Sequence, residues 1–369
     1  MDLGPVCFPT YSRLSLTWTV QYLGQLGNNN LIDGAMITRF CILLSCSLIV
    51  PLGSGFAVED DSKFADVPVG VTSFGAAFCN GKIYLYGGHM GDAHGYYDSG
   101  QNKKLFELDL AEPGKWKELG EGPGLQGLAL VAHGGNIYRL GGFNARNKKG
   151  EDQDLHSVKD FARFDFAQGE WKSLPDMPVA RSSFDAVVLG DKIYVVGGWA
   201  MRGGDDTEWC EDAYSIDLSQ EELKWTKLPQ PPFQRRAMSV GFQGDKVYVV
   251  GGMQLRGGPT REVAIFDTQS NEWKAGPELP GEESMEGFGS SCFNVGGTLV
   301  ASTYSGKVIR LSDDGSRWQE FEKLDVGRFF HRLVPVSENS FVLIGGANME
   351  SGKTNDTIQL NLSDASSND

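Results

Sequence analysis

Short runs of apolar residues recur along the chain, and most of them end in two glycines. The clearest run, KIYVVGG at residues 192–198, places Ile193 and Val195 on one face of a strand and Tyr194 and Val196 on the other. Both faces are therefore apolar, which is typical of a sheet that packs between two others. Helical periodicity is weak throughout, and 48 glycines separate such runs. The pattern predicts many short strands joined by turns.

The apolar run and its glycine pair form an internal repeat. The first glycines of five pairs are separated by 54, 56, 54 and 94 residues, and the last interval is about two periods. A sixth, degenerate copy fills this gap at residues 296–304, where Ser302 and Thr303 replace the glycines. The five pairs begin at Gly87, Gly141, Gly197, Gly251 and Gly345.

A tryptophan follows the glycines in five copies, at Trp116, Trp171, Trp225, Trp273 and Trp318. Each copy predicts four short strands: strand a before a tight turn, strand b ending in the glycines, strand c, and strand d beginning at the tryptophan. We interpret the glycine pairs as architectural, because a phosphate-binding loop would open a helix and no helix pattern follows them. The glycines are expected where no Cβ fits.

The order of double glycine, strand and tryptophan over about 50 residues resembles the kelch repeat, from residue 58 to residue 362. The resemblance implies an all-β fold, a six-bladed β-propeller with four strands per blade around a central channel. The sixth copy ends at its strand c. We therefore expect the N-terminal segment, residues 59–68, to supply strand d of the last blade and close the ring.

The N-terminus has a separate pattern. Residues 36–57 combine one arginine, an apolar run and small residues before Val58, which predicts a secretory signal peptide. This predicts export to the periplasm or the medium of a bacterial cell, and lipidation at Cys46 is the weaker alternative. Residues 1–35 are interpreted as a disordered or non-native extension, and residues 363–369 as a disordered tail.

The net charge of −15 makes nucleic acid a poor partner, because binding to phosphate backbones depends on lysine and arginine. The leader is too short for a membrane span. No cysteine pair has metal-ligand spacing, so no metal and no cofactor is expected. A monomer is expected.

The loops between strands b and c and between d and a emerge on one face, and the first three copies carry long b–c loops. This loop-rich face is the expected ligand site. Arginines recur there at equivalent positions, and arginine suits carboxylate or phosphate. The alternative is that the arginines at the start of strand a bond carbonyls or acids inside the protein. The predicted ligand-binding residues are Arg146, Arg181, Arg202, Arg235, Arg256, Arg328, His89 and Trp199.

The function predicted from these features is an interaction protein that binds a protein, an anion or a carbohydrate on the loop-rich face. The alternative is a sugar mutarotase, because size and leader are similar to those of the sialic acid mutarotases among kelch propellers. That chemistry needs a general acid–base pair, for which Glu286 and His331 are the candidates. A copper radical oxidase is disfavoured because the histidines are scattered.

Overall fold

The computed structural model describes residues 64–204 and 207–362. The predicted extension, signal peptide and C-terminal tail lie outside these residues. The described part is all-β, as predicted, apart from two short 3₁₀ helices at Asp98–Gly100 and Ser284–Gly287. Neither helix has the length and apolarity needed to cross a bilayer.

Most of the described strands form six larger antiparallel sheets in chain order, and the others form small sheets in the loops. Sheet 1 contains β1 (Gly75–Cys79), β2 (Lys82–Tyr86), β3 (Lys104–Asp109) and β4 (Trp116–Glu121). Sheet 2 contains β5 (Ala129–His133), β6 (Asn136–Leu140), β9 (Phe161–Asp165) and β10 (Glu170–Ser173), with the loop hairpin β7 (Phe143–Ala145) and β8 (Leu155–Ser157). Sheet 3 contains β11 (Asp185–Leu189), β12 (Lys192–Val196), β15 (Ala213–Asp217) and β16 (Trp225–Lys227), with the hairpin β13 (Trp199–Ala200) and β14 (Glu208–Trp209).

The second half repeats this plan. Sheet 4 contains β18 (Ser239–Gln243), β19 (Lys246–Val250), β22 (Val263–Asp267) and β23 (Glu272–Ala275), beside a small sheet of β17 (Arg235–Arg236), β20 (Met253–Gln254) and β21 (Gly258–Pro259). Sheet 5 contains β24 (Ser291–Val295), β25 (Thr298–Ser302), β26 (Lys307–Leu311) and β27 (Trp318–Lys323). Sheet 6 contains β28 (Arg332–Pro335), β29 (Ser340–Ile344) and β32 (Thr357–Asn361), with the hairpin β30 (Ala347–Asn348) and β31 (Gly352–Lys353).

The second strand of every sheet is the apolar run that the sequence singled out. In β12, four of the five residues are buried, and the same holds for the runs in the other sheets. Each sheet packs between two neighbouring sheets, and this explains why the second strand has apolar side chains on both of its faces. The sequence-based prediction of strand b is confirmed in all six copies, including the degenerate one.

The glycine pairs contact the next sheet, and their architectural role is confirmed. Gly197 and Gly198 have φ of 71° and 91°, a left-handed conformation that favours glycine. A Cβ on Gly197 would lie 2.2 Å from the Met238 Cε of sheet 4. The second glycine also donates its N–H to the carbonyl of Arg235 in that sheet, at 2.8 Å. The turn therefore joins neighbouring sheets as well as ending a strand.

A cycle of backbone hydrogen bonds links the six sheets just before their first strands. In each sheet one residue with φ between 51° and 59° donates its N–H to the carbonyl of the equivalent residue in the preceding sheet. The cycle returns from sheet 6 to sheet 1 through the Ser73 N–H and the Phe330 carbonyl, 3.3 Å apart. Strands β28 and β1 also pack together. The members of this cycle, here the ring residues, are Ser73, Gly127, Ser183, Ala237, Gly289 and Phe330.

The N-terminal described residues contact sheets 1 and 6. The Trp225 indole of sheet 3 donates to the Pro175 carbonyl that follows sheet 2, at 2.9 Å. The Trp116 indole of sheet 1 donates in the same way to the Ala65 carbonyl, at 3.0 Å. Ala65 thus occupies the position that follows strand d in the other copies. Residues 64–68 nevertheless form no strand, and sheet 6 has three strands within the described residues.

An ion pair crosses the central channel from sheet 6 to sheet 3. The Arg332 guanidinium lies 3.0 Å from the Asp185 carboxylate, whose side chain is 5% exposed. Arg332 also donates to the Phe74 carbonyl of sheet 1, and Asp185 accepts the Val240 N–H of sheet 4. This buried pair therefore ties together four sheets and lies between two cavities of the channel, both of which Arg332 lines.

Candidate functional site

A cavity of about 440 Å³ opens at the loop-rich end of the central channel. All six ring residues line it, so every sheet contributes to its wall. The b–c loops add side chains such as Tyr96, Trp199 and Met253. A concave, mostly apolar site with a few polar groups is the usual form of a ligand site. We call it the mouth cavity.

Arg236 is the most distinctive polar residue of the mouth cavity. Its guanidinium lies 4.0 Å from the centre of the Trp199 ring and 5.6 Å from that of the Trp209 ring. Within residues 64–204 and 207–362, Arg236 forms no ion pair, and its buried Nε has no acceptor. Burial lowers the pKa of this guanidinium from its usual value. Arg236 is thus a partly desolvated cation that stacks on indole rings and has no counter-charge among the described residues.

The charge of the mouth cavity is opposite to that of the whole chain. Two arginines line it, Arg236 and Arg332, while none of the described lining residues is Asp or Glu. Arg332 is already neutralised by Asp185. The uncompensated positive charge therefore belongs to Arg236. Because partial burial reduces the solvent screening of this charge, it favours an anionic ligand.

His331 also lines the mouth cavity, as the predicted site requires. Its Nε2 forms a hydrogen bond with the Ser302 hydroxyl, and its buried Nδ1 has no partner among the described residues. Burial, together with the charges of Arg328 and Arg332, lowers the pKa of His331 to about 3. The imidazole is therefore neutral at pH 7.

The predicted arginines at the start of strand a have internal partners. Arg181 is fully buried, donates to the Gly197 carbonyl at 3.0 Å and pairs with the Asp212 carboxylate at 3.0 Å. Arg328 repeats this arrangement in sheet 6 with the Gly345 carbonyl and a two-fold contact to Asp356. These contacts match the structural alternative that the sequence left open. Ligand binding by these arginines stays a prediction. It would require an anionic ligand to displace the Asp212 or Asp356 carboxylate from its arginine.

Arg235 follows the same scheme in sheet 4. Its side chain is 4% exposed and pairs with the Glu262 carboxylate, and it also donates to the Glu262 carbonyl at 3.0 Å. The three arginines at the other repeated position differ from these, because Arg146, Arg202 and Arg256 are exposed. Arg202 pairs with Glu208 at 2.6 Å on the surface. None of these four residues lines the mouth cavity.

The remaining predicted residues are only partly brought together. Trp199 and His331 both line the mouth cavity, whereas Glu286 and His89 do not. The Glu286 carboxylate accepts the Thr303 hydroxyl at 2.6 Å and lies 3.6 Å from the Lys307 ammonium. His89 is buried with its Nε2 on the Asp92 carbonyl. The acid–base pair of Glu286 and His331 stays a prediction, and its two members have different local partners.

Sequence reasoning missed Arg236 although it noted the adjacent Arg235. The signal was available in the residues that precede the ring residues, which are Thr72, Gln126, Ser182, Arg236, Phe288 and Phe329. One of these six positions carries a charge. When one copy carries a charged residue at a position that is uncharged in the other copies, that side chain is not needed for the shared fold. It therefore indicates a function that is specific to that copy.

No group of three or more His, Cys, Asp or Glu side chains within the described part of the chain is arranged to hold a metal ion. The three described cysteines are buried and unpaired.

Comparison with known proteins gives consistent relatives. Mouse Kelch-like protein 40 is 26% identical over 60% of this chain and 35% of its own length. Human Kelch-like protein 15 is 25% identical over 66% of this chain and 33% of its own length. The Kelch-like protein terF of Aspergillus terreus is 22% identical over 66% of this chain and 53% of its own length. The chain thus spans a third to about half of these relatives.

The solved structure of YjhT has the same fold. It superposes with a TM-score of 0.66 and 17% identity over 82% of this chain and 98% of that chain. Residues 127–346, more than half of the chain, match the family described as the KLHDC2/KLHL20/DRC7 Kelch-repeats domain. The matched region contains five of the six sheets in whole or in part, and it includes most of the mouth cavity. The chain therefore belongs to the kelch-repeat family and has the propeller fold that the repeat implied.

Proposed function

We propose that the chain is a binding protein whose ligand enters the mouth cavity and presents an anionic group to Arg236. The observation that carries this proposal is an arginine that stacks on Trp199 and has no counter-charge among residues 64–204 and 207–362, in a lining without described carboxylates. A desolvated cation of this kind costs free energy in the empty protein. A ligand carboxylate recovers that cost through charge-assisted hydrogen bonds.

Calorimetry on the full chain tests this proposal with paired probes that differ only in charge. We expect 3-phenylpropionate to bind and 3-phenylpropionamide to bind at least about tenfold more weakly, because the amide lacks the charge. Arg236→Gln should remove the difference, whereas the exposed Arg256→Gln should keep it. Equal affinity of acid and amide, or an unchanged difference in Arg236→Gln, would contradict the proposal.

The alternative function is sugar mutarotation. The observation that favours it is the position of His331 in the lining of the cavity, because an imidazole there can exchange a proton with a sugar hydroxyl. Its low pKa makes the imidazole a weak base and weighs against this role. The internal partners of Glu286 weigh against it. Anomer exchange of N-acetylneuraminate, followed by NMR with wild-type protein and His331→Gln, is the decisive assay. Acceleration that depends on His331 would establish the enzyme; no acceleration would leave the binding function.

The finer architecture that we propose is a six-bladed propeller in which the N-terminal segment completes the last blade. Support comes from Phe64 and Val67, which are 3% and 1% exposed. It also comes from the Val67 N–H, which donates to the Asn355 carbonyl at 2.7 Å, and from the bond between Trp116 and Ala65. Deletion of residues 58–66 should therefore lower the melting temperature by several degrees. Deletion of residues 363–369 is the matched control, and an equal melt for both deletions would refute the closure.

Export of the protein is the remaining proposal, and it rests on the pattern of residues 36–57 alone. N-terminal sequencing of the mature protein from its native source would test it. A start at Val58 is expected. A retained leader would refute it.

A further inference from the structure

Four aromatic side chains form a cluster on one side of the mouth cavity. Phe288 contacts Phe330 and Phe329 with ring centres 5.1 Å and 5.5 Å apart. Tyr304 stacks on Phe329 at 5.8 Å with an angle of 14° between the rings. Phe288 and Phe330 line the cavity directly. We call these four residues the aromatic wall.

The aromatic wall is separate from the cores that stabilise the sheets. The described residues contain five clusters of buried apolar side chains, and no member of the wall belongs to them or packs against them as a partly buried neighbour. All four side chains are partly exposed. Large aromatic side chains that contact chiefly one another and face a cavity are typical of binding hot spots rather than of a core.

The wall lies next to Arg236. The Gly289 N–H, which follows Phe288, donates to the carbonyl of Ala237, which follows Arg236, at 3.3 Å. The Arg236 guanidinium and the aromatic wall therefore lie on either side of one backbone hydrogen bond between sheets 4 and 5. A single small ligand can touch both, because both line one cavity of about 440 Å³.

The chemistry of the wall limits the rest of the ligand. Phenylalanine rings offer no hydrogen bonds, so sugar hydroxyls held against them would lose their water without replacement. The rings of Phe288 and Phe330, the two wall residues that line the cavity, meet at 65°, so they do not form one flat platform for a sugar face. An apolar group that fits among ring edges and faces suits this geometry.

We propose that the mouth cavity selects an amphipathic carboxylate, in which Arg236 binds the carboxylate and the aromatic wall binds an adjacent aromatic or branched aliphatic group. This inference rests on the proposed anion-binding function and adds the class of ligand. The group can belong to a free organic acid or to the C-terminal residue of a peptide, which share this chemistry.

A ligand series tests the selectivity by calorimetry on the full chain. We expect 3-phenylpropionate to bind at least about tenfold more tightly than acetate or N-acetylneuraminate, because only the first carries an aromatic or branched aliphatic group next to its carboxylate. A comparison of N-acetyl-Gly-Phe, which has a free carboxylate, with its amide then shows whether the ligand carboxylate belongs to a peptide C-terminus or to a free organic acid. Tighter binding of the free peptide than of 3-phenylpropionate indicates a protein terminus, and weaker binding indicates a free acid; both results support the class.

Variants of Phe288 separate the wall from Arg236. Phe288→Asn should weaken 3-phenylpropionate at least about fivefold and leave acetate within about twofold, since only the apolar contact is lost. Phe166→Asn is the control, because Phe166 is exposed and does not line the cavity. Phe288→Leu keeps an apolar side chain and decides the matter if the asparagine variant does not fold; it should retain selectivity over acetate.

The outcomes distinguish this inference from the function on which it rests. Binding that depends on Arg236 but shows equal affinity for 3-phenylpropionate and N-acetylneuraminate overturns the amphipathic class and leaves anion binding intact. An unchanged preference in Phe288→Asn also overturns the role of the wall. Absence of any binding that depends on Arg236 overturns both.

Discussion

Two neighbouring regions use arginine in opposite ways. Inside the sheets, Arg181, Arg235 and Arg328 are buried, paired with carboxylates and bonded to backbone carbonyls. At the mouth cavity, Arg236 is stacked on Trp199 and has no ion pair within the described residues. Arg235 and Arg236 are consecutive in β17, so their side chains point to opposite sides. Two consecutive residues therefore differ in their contacts: Arg235 binds internal partners, and Arg236 faces the mouth cavity.

The largest effect should follow removal of an internal arginine. We expect Arg181→Met to lower the free energy of unfolding by about 3 kcal/mol, because the partly buried Asp212 carboxylate loses its partner. Urea denaturation followed by circular dichroism measures this change. In the double variant Arg181→Met/Asp212→Asn part of the loss should return. A loss below about 1 kcal/mol in the single variant would contradict a structural role for these arginines.

An intermediate effect on the free energy of unfolding should come from a change in pH, because His331, in the lining of the mouth cavity, takes up a proton when the protein unfolds. Its folded pKa of about 3 lies below the usual 6.5, so the unfolded chain binds the proton more readily. Burial of the neutral His331 imidazole therefore contributes its full stability above pH 6.5, and this contribution decreases as the pH falls below 6.5. We expect a loss of about 1.4 kcal/mol between pH 8 and pH 5.5.

Urea denaturation at both pH values, compared with His331→Gln, isolates this contribution. The variant cannot take up the proton, so the difference between the two proteins should shrink by that amount at the lower pH. A difference that stays constant would show that His331 titrates normally.

The smallest effect on stability should follow Arg236→Met, although its effect on binding should be large. No ion pair among the described residues is lost, and the contact with Trp199 contributes about 0.5–1 kcal/mol. Arg235→Met, one residue away, should cost about 2 kcal/mol, because the buried guanidinium no longer donates to the Glu262 carbonyl and carboxylate. Thermal melts of the two variants side by side provide the comparison. Equal losses would remove the distinction between the two regions.

The sequence predicted most of the fold because the repeat encodes it locally. The run KIYVV, the glycine pair and the tryptophan recur in a fixed order, and each has a physical reason. These reasons are burial of both strand faces, close approach to the next sheet and, for four of the five tryptophans, an indole that donates to a carbonyl of the segment before its copy. Equivalent positions could be compared without a structure. This comparison also singled out the arginines at the start of strand a, but it could not decide between an internal partner and a ligand.

The sequence by itself determined the all-β fold, the repeat and its register, since these depend on alternation and on steric limits within each copy. Only the tertiary structure decided which side chains share the mouth cavity. Arg236, Trp199, Phe288 and Phe330 lie in four different copies, and they line one cavity because the packing of the sheets brings together residues that are far apart in the chain. Their roles depend on distances across that cavity, and no spacing along the sequence encodes them.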